Sequence, residues 1–93
     1  TQLKDSEAQA SFLALHDAIT GLPNRSYARQ HFAGNHGVGS PAALLLVDLD
    51  EFKAINDSLG HAAGDELLAE VARRLRAAVR RQDLVTRFGA DVF

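Results

Sequence analysis

Residues 42–50 read Ala-Ala-Leu-Leu-Leu-Val-Asp-Leu-Asp, an apolar run that ends in two acids one residue apart. A half-exposed strand alternates apolar and polar residues, whereas a strand covered on both faces reads as an unbroken apolar run. Ala43 to Leu49 is therefore expected as a central strand in an α/β layer fold. Period-two geometry sets Asp48 and Asp50 on one face if the strand persists that far. Ligand sites in α/β folds form where buried strands emerge, and Mg²⁺ pairs one or two carboxylates with substrate phosphates. The competing reading makes one acid a cap for the next helix. It suits Asp50 better than Asp48, which abuts Val47 and is costly to bury without a partner.

Helical patterns flank this strand. Residues 3–17 read as a helix carrying Leu3, Phe12, Leu13 and Leu15. Its apolar face is thin where Lys4, Asp5, Ser6, Glu7 and Gln9 dominate, as in a connecting helix arriving from an upstream domain. Gly21-Leu22-Pro23-Asn24 is a break, after which Asn24 caps a helix from Arg25 to about Phe32. Gly34 to Pro41 is a loop. Phe52 to Leu59 is a short helix, Gly60 to Gly64 a turn, and Asp65 to Arg81 a long helix. Leu67, Leu68, Val71, Leu75, Ala78 and Val79 mark the apolar face of the long helix. Asp83 to Phe88 reads as a second strand, Gly89-Ala90 as a tight turn, and Asp91 to Phe93 as a returning strand.

The 93 residues allow at most one small domain, burying about 60–65% of its unfolded surface. Apolar content of 46%, charged content of 24% and a net charge of −2 are ordinary for a globular domain. No apolar run approaches the roughly 18 residues of a membrane span. The absence of cysteine removes disulfides and thiolate metal sites and agrees with a reducing, cytoplasmic compartment. No signal peptide is visible, and the chain lacks Met, so it reads as a piece of a longer polypeptide. Arg73, Arg74, Arg76, Arg80, Arg81 and Arg87 crowd into fifteen residues with Asp83 as the only acid among them. Such a stripe either holds phosphates or is a solvated helix face. His16, His31 and His36 have no metal-ligand spacing.

The motifs come in a fixed order, the first of them a joint between helix and domain that does no chemistry of its own. Asp17-Ala18-Ile19-Thr20-Gly21-Leu22-Pro23-Asn24-Arg25 leads. Asp48-Leu49-Asp50, Phe52-Lys53, Asn56-Asp57, Gly60-His61 and Gly64-Asp65 follow, and Gly89-Ala90-Asp91-Val92-Phe93 closes the set. This set closely resembles the GGDEF domain of diguanylate cyclases, from about Leu13 onward. The resemblance implies a palm-like α/β fold with a central sheet flanked by helices, of which residues 17–93 supply the N-terminal part and residues 1–16 a connecting helix. It further implies that Mg²⁺ is held by Asp48, the Leu49 carbonyl and Asp91. Phe52, Lys53, Asn56, His61, Asp65 and Gly89 match nucleotide-contacting positions, Asn56 and Asp65 being the pair that reads guanine. An amide can serve guanine's acceptor and donor atoms, and a carboxylate accepts from its N–H groups. Read locally, Asn56 is a turn amide and Asp65 the cap of the long helix.

The signature turn departs from the family pattern. Gly89 keeps the first glycine and Asp91 the essential acid. Ala90 replaces the second glycine, with strain expected if that position needs positive φ, and Val92 brings no oxygen where a glutamate helps hold the cation. Arg80-Arg81-Gln82-Asp83 stands nine residues ahead of Gly89, at the offset of the family's product-inhibition motif for cyclic di-GMP. A helix-end salt bridge is the alternative reading of Arg80 and Asp83. The leading expectation is a degenerate, catalytically weak or inactive module that binds GTP or cyclic di-GMP and relays a signal. An upstream sensor, a downstream phosphodiesterase domain and a homodimer are its expected partners, with no nucleic acid and no membrane in this segment. An active cyclase joining two GTP, and a dimerisation spacer that binds no nucleotide, remain alternatives.

Overall fold

The computed structural model describes residues 2–34 and 43–93. The glycine-rich loop expected after Gly34 lies outside the described residues, as does His36. Four helices order the rest: α1 (Gln2–Leu15), α2 (Arg25–Gly34), α3 (Phe52–Leu59) and α4 (His61–Ala78).

In helix α1, Phe12 and Leu13 stay 47% and 45% exposed. The helix meets α2 through a row of rings. Phe12 stacks on His16 at 4.0 Å, His16 tilts against Tyr27 at 5.7 Å, and Tyr27 stacks on His31 at 6.2 Å. Between the helices, residues 16–24 fold into a loop tied to itself. The Asp17 amide donates to the Leu22 carbonyl at 2.7 Å, the Gly21 amide to Asp17 O at 2.8 Å, and the Asn24 amide to Leu15 O at 2.9 Å. Gly21 takes φ 72°, a conformation that favours glycine, which lets the chain reverse. Asn24 caps α2 as expected, its Oδ1 accepting from the Tyr27 amide at 3.0 Å.

Helices α3 and α4 form the main helical pair, and their junction corrects the expected turn. Gly60, at φ 92°, makes the reversal alone, so α4 begins at His61 and not at Asp65. Ala62, Ala63 and Gly64 contain nothing that stops a helix once the glycine has turned the chain. The far end of α4 is also shorter than expected. Val79 is extended (φ −115°, ψ 170°), which leaves Ala78 and Val79 exposed and places Arg80 to Asp83 in a turn beyond the helix. The Asp83 carboxylate takes the Arg80 amide at 2.9 Å, a local side-chain bond that competes with further helix.

The expected strands are reduced to single bridges. The amides of Val47 and Phe93 exchange bonds with each other's carbonyls at 2.7 and 2.8 Å, the Leu49 amide reaches Asp91 O at 3.0 Å, and Asp48 lies antiparallel to Val92. A parallel bridge joins Asn24 to Arg87. Residues 43–46 and 84–86 find no ladder partner among the described residues. The apolar run is therefore not covered on both faces: Leu44, Leu45 and Leu46 are 78%, 75% and 66% exposed. A central strand needs a neighbour on each side, and the described residues supply one short neighbour, 91–93.

What is packed is small. Leu22, Phe52, Leu68, Ala72 and Phe93 form the buried cluster, with Val47, Leu49, Val71, Leu75 and Val85 against it. Leu22 comes from the loop, Phe52 from the start of α3, and Leu68 and Ala72 from one face of α4, so the core joins every region that carries a motif. Leu68→Ala should lower unfolding free energy by about 2–5 kcal/mol. Leu59→Ala, at a side chain 70% exposed, should change it by no more than about 0.5 kcal/mol. Urea titration followed by circular dichroism compares the two.

Candidate functional site

The closing turn and the strand end meet through the backbone. Phe88 and Gly89 both donate to the Val92 carbonyl, at 2.8 and 3.1 Å, which closes a loop over residues 89–91. Hydrogen-bonded pairs at 47/93 and 49/91 flank Asp48 and Val92. That makes them a non-hydrogen-bonded pair, the kind whose side chains approach most closely on one face. The fourth signature position thus lies beside Asp48, and it is a valine. Ala90 is not strained, because neither it nor Gly89 has positive φ. A Cβ on Gly89 would meet Val92 atoms at 3.5 and 3.6 Å, an ordinary contact. The expected backbone penalty at Ala90 is absent.

Asp50 has left the pairing and sits in a turn, so it does not share a strand face with Asp48. Neither acid caps α3. The residue before that helix is Glu51, in the left-handed region at φ 59°, and no side chain bonds the helix start. Amides at a helix N-terminus attract anions, and here they adjoin Asp48, Leu49 and the exposed Lys53. Phe52 is buried at 8% exposure, its side chain part of the core. Asp48 and Asp91 carboxylates and the Leu49 carbonyl are hard oxygen donors of the type Mg²⁺ accepts. Among the described residues no cluster of three or more His, Asp or Glu side chains forms a metal cage. Mg²⁺ does not need one, since it commonly uses one or two carboxylates and completes its shell with water and phosphate.

The local readings of Asn56 and Asp65 fail. Asp65 is the fifth residue of α4, not its cap, and is exposed. Asn56 sits inside α3 and makes no turn bond with its side chain; its Oδ1 is buried without a hydrogen-bond partner among the described residues. It packs against Gly64, where an added Cβ would lie 2.9 Å from Asn56 Cγ and overlap Oδ1. Gly64 thus brings the Asn56 amide next to Asp65, with His61 exposed one turn earlier.

A second group of residues holds the turn from behind. Arg87 donates through Nη1 to Asp17 Oδ1 at 2.8 Å and through Nη2 to the Ala90 carbonyl at 2.8 Å. Its amide reaches Pro23 O at 3.0 Å. Arg25 donates to the Phe88 carbonyl from Nε and Nη2, at 3.2 and 3.1 Å, with its guanidinium 4.4 Å from the centre of the Phe88 ring. The Arg87 and Asp17 side chains are 13% and 19% exposed. Burial pushes the Asp17 carboxyl up. Hydrogen bonds from the Thr20 amide and hydroxyl, with the Arg87 charge, outweigh burial and hold it below its usual value. Sequence reasoning assigned Arg87 to a basic surface and gave Asp17 no chemistry. Seventy residues separate them, and no local pattern announces the pair.

The remaining arginines divide. Arg73 and Arg74 both bind Glu70, at 2.5 and 2.9 Å, and their hydrogen bonds lower the Glu70 pKa to about 2. Arg76, Arg80 and Arg81 instead line an opening of about 440 Å³ with Asp83, Tyr27 and His31. There Arg80 Nη2 pairs with Asp83 Oδ1 at 3.1 Å. The two hold each other's charge, Asp83 lowered chiefly by the Arg80 side-chain hydrogen bond and Arg80 raised by the same bond. The helix-end salt bridge therefore exists, and it lies in the wall of a cavity.

The family model described as "Diguanylate cyclase, GGDEF domain" matches residues 14–93. The chain belongs to the GGDEF family. It is 42% identical over 98 residues to the diguanylate cyclase TpbB of Pseudomonas aeruginosa, a match covering 99% of the chain and 22% of TpbB. The solved GGDEF domain of TpbB superposes with a TM-score of 0.69 over 84% of the chain and 48% of that structure. The cyclic di-GMP phosphodiesterase NbdA of the same bacterium is 42% identical over 96 residues, 99% of this chain and 12% of NbdA. The coiled coil and GGDEF domain of DgcB from Caulobacter crescentus, solved with cyclic di-GMP, matches with a TM-score of 0.82 at 27% identity, over 99% of the chain and 50% of that structure. The GGDEF chain thus spans about a fifth or less of these two curated relatives and about half of the solved domains. The neighbours share the nucleotidyl cyclase-like fold, while the described residues contain four helices and isolated bridges in place of a full sheet.

The Asp17–Arg87 pair gives a pH signature. A carboxyl held low in the folded state stabilises it fully above the unfolded pKa, about 3.9, and less as pH falls through the folded value. Asp17→Asn should therefore lower stability by about 1–2 kcal/mol at pH 7. The gap to the parent should close as pH drops below about 4. Thermal unfolding at stepped pH measures the difference.

Proposed function

We propose that this GGDEF chain serves cyclic di-GMP signalling as a regulatory module that binds guanine nucleotide and has little or no cyclase activity. The observation that carries the reading is the pairing of Val92 with Asp48. A glutamate at that position would stand beside the metal aspartate on the same face; valine offers no oxygen there and lowers the local affinity for a cation. The parts that would grip a nucleotide are retained. Asp48, the Leu49 carbonyl and Asp91 would hold Mg²⁺, which when bound neutralises triphosphate charge. The amides of Asp50 to Lys53 and the Lys53 ammonium would take the phosphates, and Asn56 and Asp65 the guanine edge. Gly89 leaves room beside the turn. This role fits a module placed beside a sensor or phosphodiesterase domain in a cytoplasmic signalling protein.

An active cyclase is the second reading, favoured by the retained Asp91, the unstrained turn and the likeness to TpbB. Incubation with GTP and Mg²⁺, followed by chromatography, separates the two. The proposed module should make cyclic di-GMP at no more than a low background. Val92→Glu should raise that background, since it restores an oxygen beside Asp48, and Asp91→Ala should abolish it. Ala90→Gly should add little through the backbone. Turnover within tenfold of an ordinary cyclase would establish the second reading instead.

Cyclic di-GMP itself should bind at Arg80 and Asp83, a site that needs neither Val92 nor a metal. Arginine's planar fork recognises phosphate or the Hoogsteen edge of guanine, and aspartate accepts guanine's N–H groups. Arg76 and Arg81 add charge to the same opening, whereas Arg87 does not, being neutralised by Asp17. Removing the Arg80 fork leaves the ligand's phosphate or guanine acceptors without a charged partner, so Arg80→Ala should weaken binding roughly thirtyfold or more. Arg74→Ala, at a side chain tied to Glu70, should matter little. Calorimetric titration in which both variants bind equally weakly would point to a nonspecific basic face.

A further inference from the structure

We propose that Gly64 is a specificity-determining position, because the absence of a side chain there is what seats the Asn56 amide beside Asp65. This deepens, and rests on, the guanine-binding reading above. Three observations meet at one spot. The Asn56 side-chain oxygen is buried and has no hydrogen-bond partner among the described residues. It occupies the space that a Cβ on Gly64 would take, 2.9 Å separating that Cβ from Asn56 Cγ and less separating it from Oδ1. Gly64 lies inside α4, its backbone outside the positive-φ region, so the conformation does not call for glycine.

Glycine in a helix interior is disfavoured relative to alanine, and an unpaired buried acceptor is disfavoured in water-excluded surroundings. Neither choice helps the fold by itself. Both are accounted for if the seat, which takes up Oδ1, fixes the amide so that its Nδ2 donor can serve an acceptor of an outside partner, guanine being a base that offers such acceptors. Any Cβ at position 64 would drive the Asn56 amide out of its seat. Gly64 touches no nucleotide in this scheme; it is a positioning residue that acts through Asn56.

The test compares GTP and ATP affinities by calorimetry, with thermal unfolding, for the full chain and three variants: Gly64→Ala, Asn56→Ala and the double variant. Gly64→Ala should weaken GTP binding at least tenfold while ATP binding stays unchanged, and should lower the unfolding midpoint. In the Asn56→Ala background the clash is gone, so Gly64→Ala should leave GTP affinity where Asn56→Ala put it and raise the midpoint. If Gly64→Ala alone fails to fold, folding of the double variant still supports the proposal, and failure of both overturns it. Parent protein that prefers GTP, with a Gly64→Ala variant that prefers it equally, overturns the positioning role and leaves the guanine reading intact. Equal affinity of the parent for GTP and ATP overturns the guanine reading itself, and the specificity role with it.

Discussion

A guanidinium with little access to water must have its charge met, and Arg87 meets it by reaching two places far apart in sequence. One arm goes to Asp17, in the loop after α1, and the other to the Ala90 carbonyl within the signature turn. Breaking a partly buried pair by removing one member leaves the other charge stranded, which is more costly than never having had the pair. The loop carrying Asp17 is also the loop that sends Leu22 into the core. Entry loop, core and turn are consequently one mechanical unit. Arg25 reinforces it by taking the Phe88 carbonyl. A shift of α1 relative to the core would be felt at the turn through these contacts, which gives the loop a physical means of relay.

The helices were legible because their signals are local. Apolar spacing located α3 and the body of α4, and Asn24 announced the start of α2. The misjudged ends have local causes as well. Gly60 turned the chain without help from Gly64, and Asp83 captured the Arg80 amide and cut α4 short. Strands are a different matter. The run 43–49 has the composition of a covered strand, yet Leu44 to Leu46 lie open, because a strand is made by partners that its own residues do not encode.

For the site, residue type and order nominate Asp48, Lys53, Asn56, Asp65 and Asp91, as positions that match the family's motif. Sequence reasoning did not see what holds them. The Asp17–Arg87 pair spans seventy residues. The reason for Gly64 is a side chain on another helix. The expectation of strain at Ala90 came from treating two glycines as a conformational requirement, whereas the backbone at 89 and 90 has negative φ. Glycine can be favoured at a position for space as well as for torsion, and only coordinates tell the two apart.

That distinction bears on how the degenerate turn is to be understood. Because Ala90 fits without distortion, the hairpin stays closed and its clamp to Asp17 and Arg25 is intact. What is altered is the chemistry on one face, where Val92 stands beside Asp48. On the proposed reading, loss of a metal oxygen at a turn that keeps its shape would weaken catalysis and leave the contacts between the entry loop and the turn in place. The Arg80–Asp83 cavity, lined by Pro23 of the entry loop, α2, Arg76 of α4 and the segment after α4, shares no side chain with that face. On the same reading, the Asp48 face and the cavity would bind their ligands through different side chains, so that loss of phosphoryl-transfer chemistry at Val92 would leave the second site and the clamp between entry loop and turn in place.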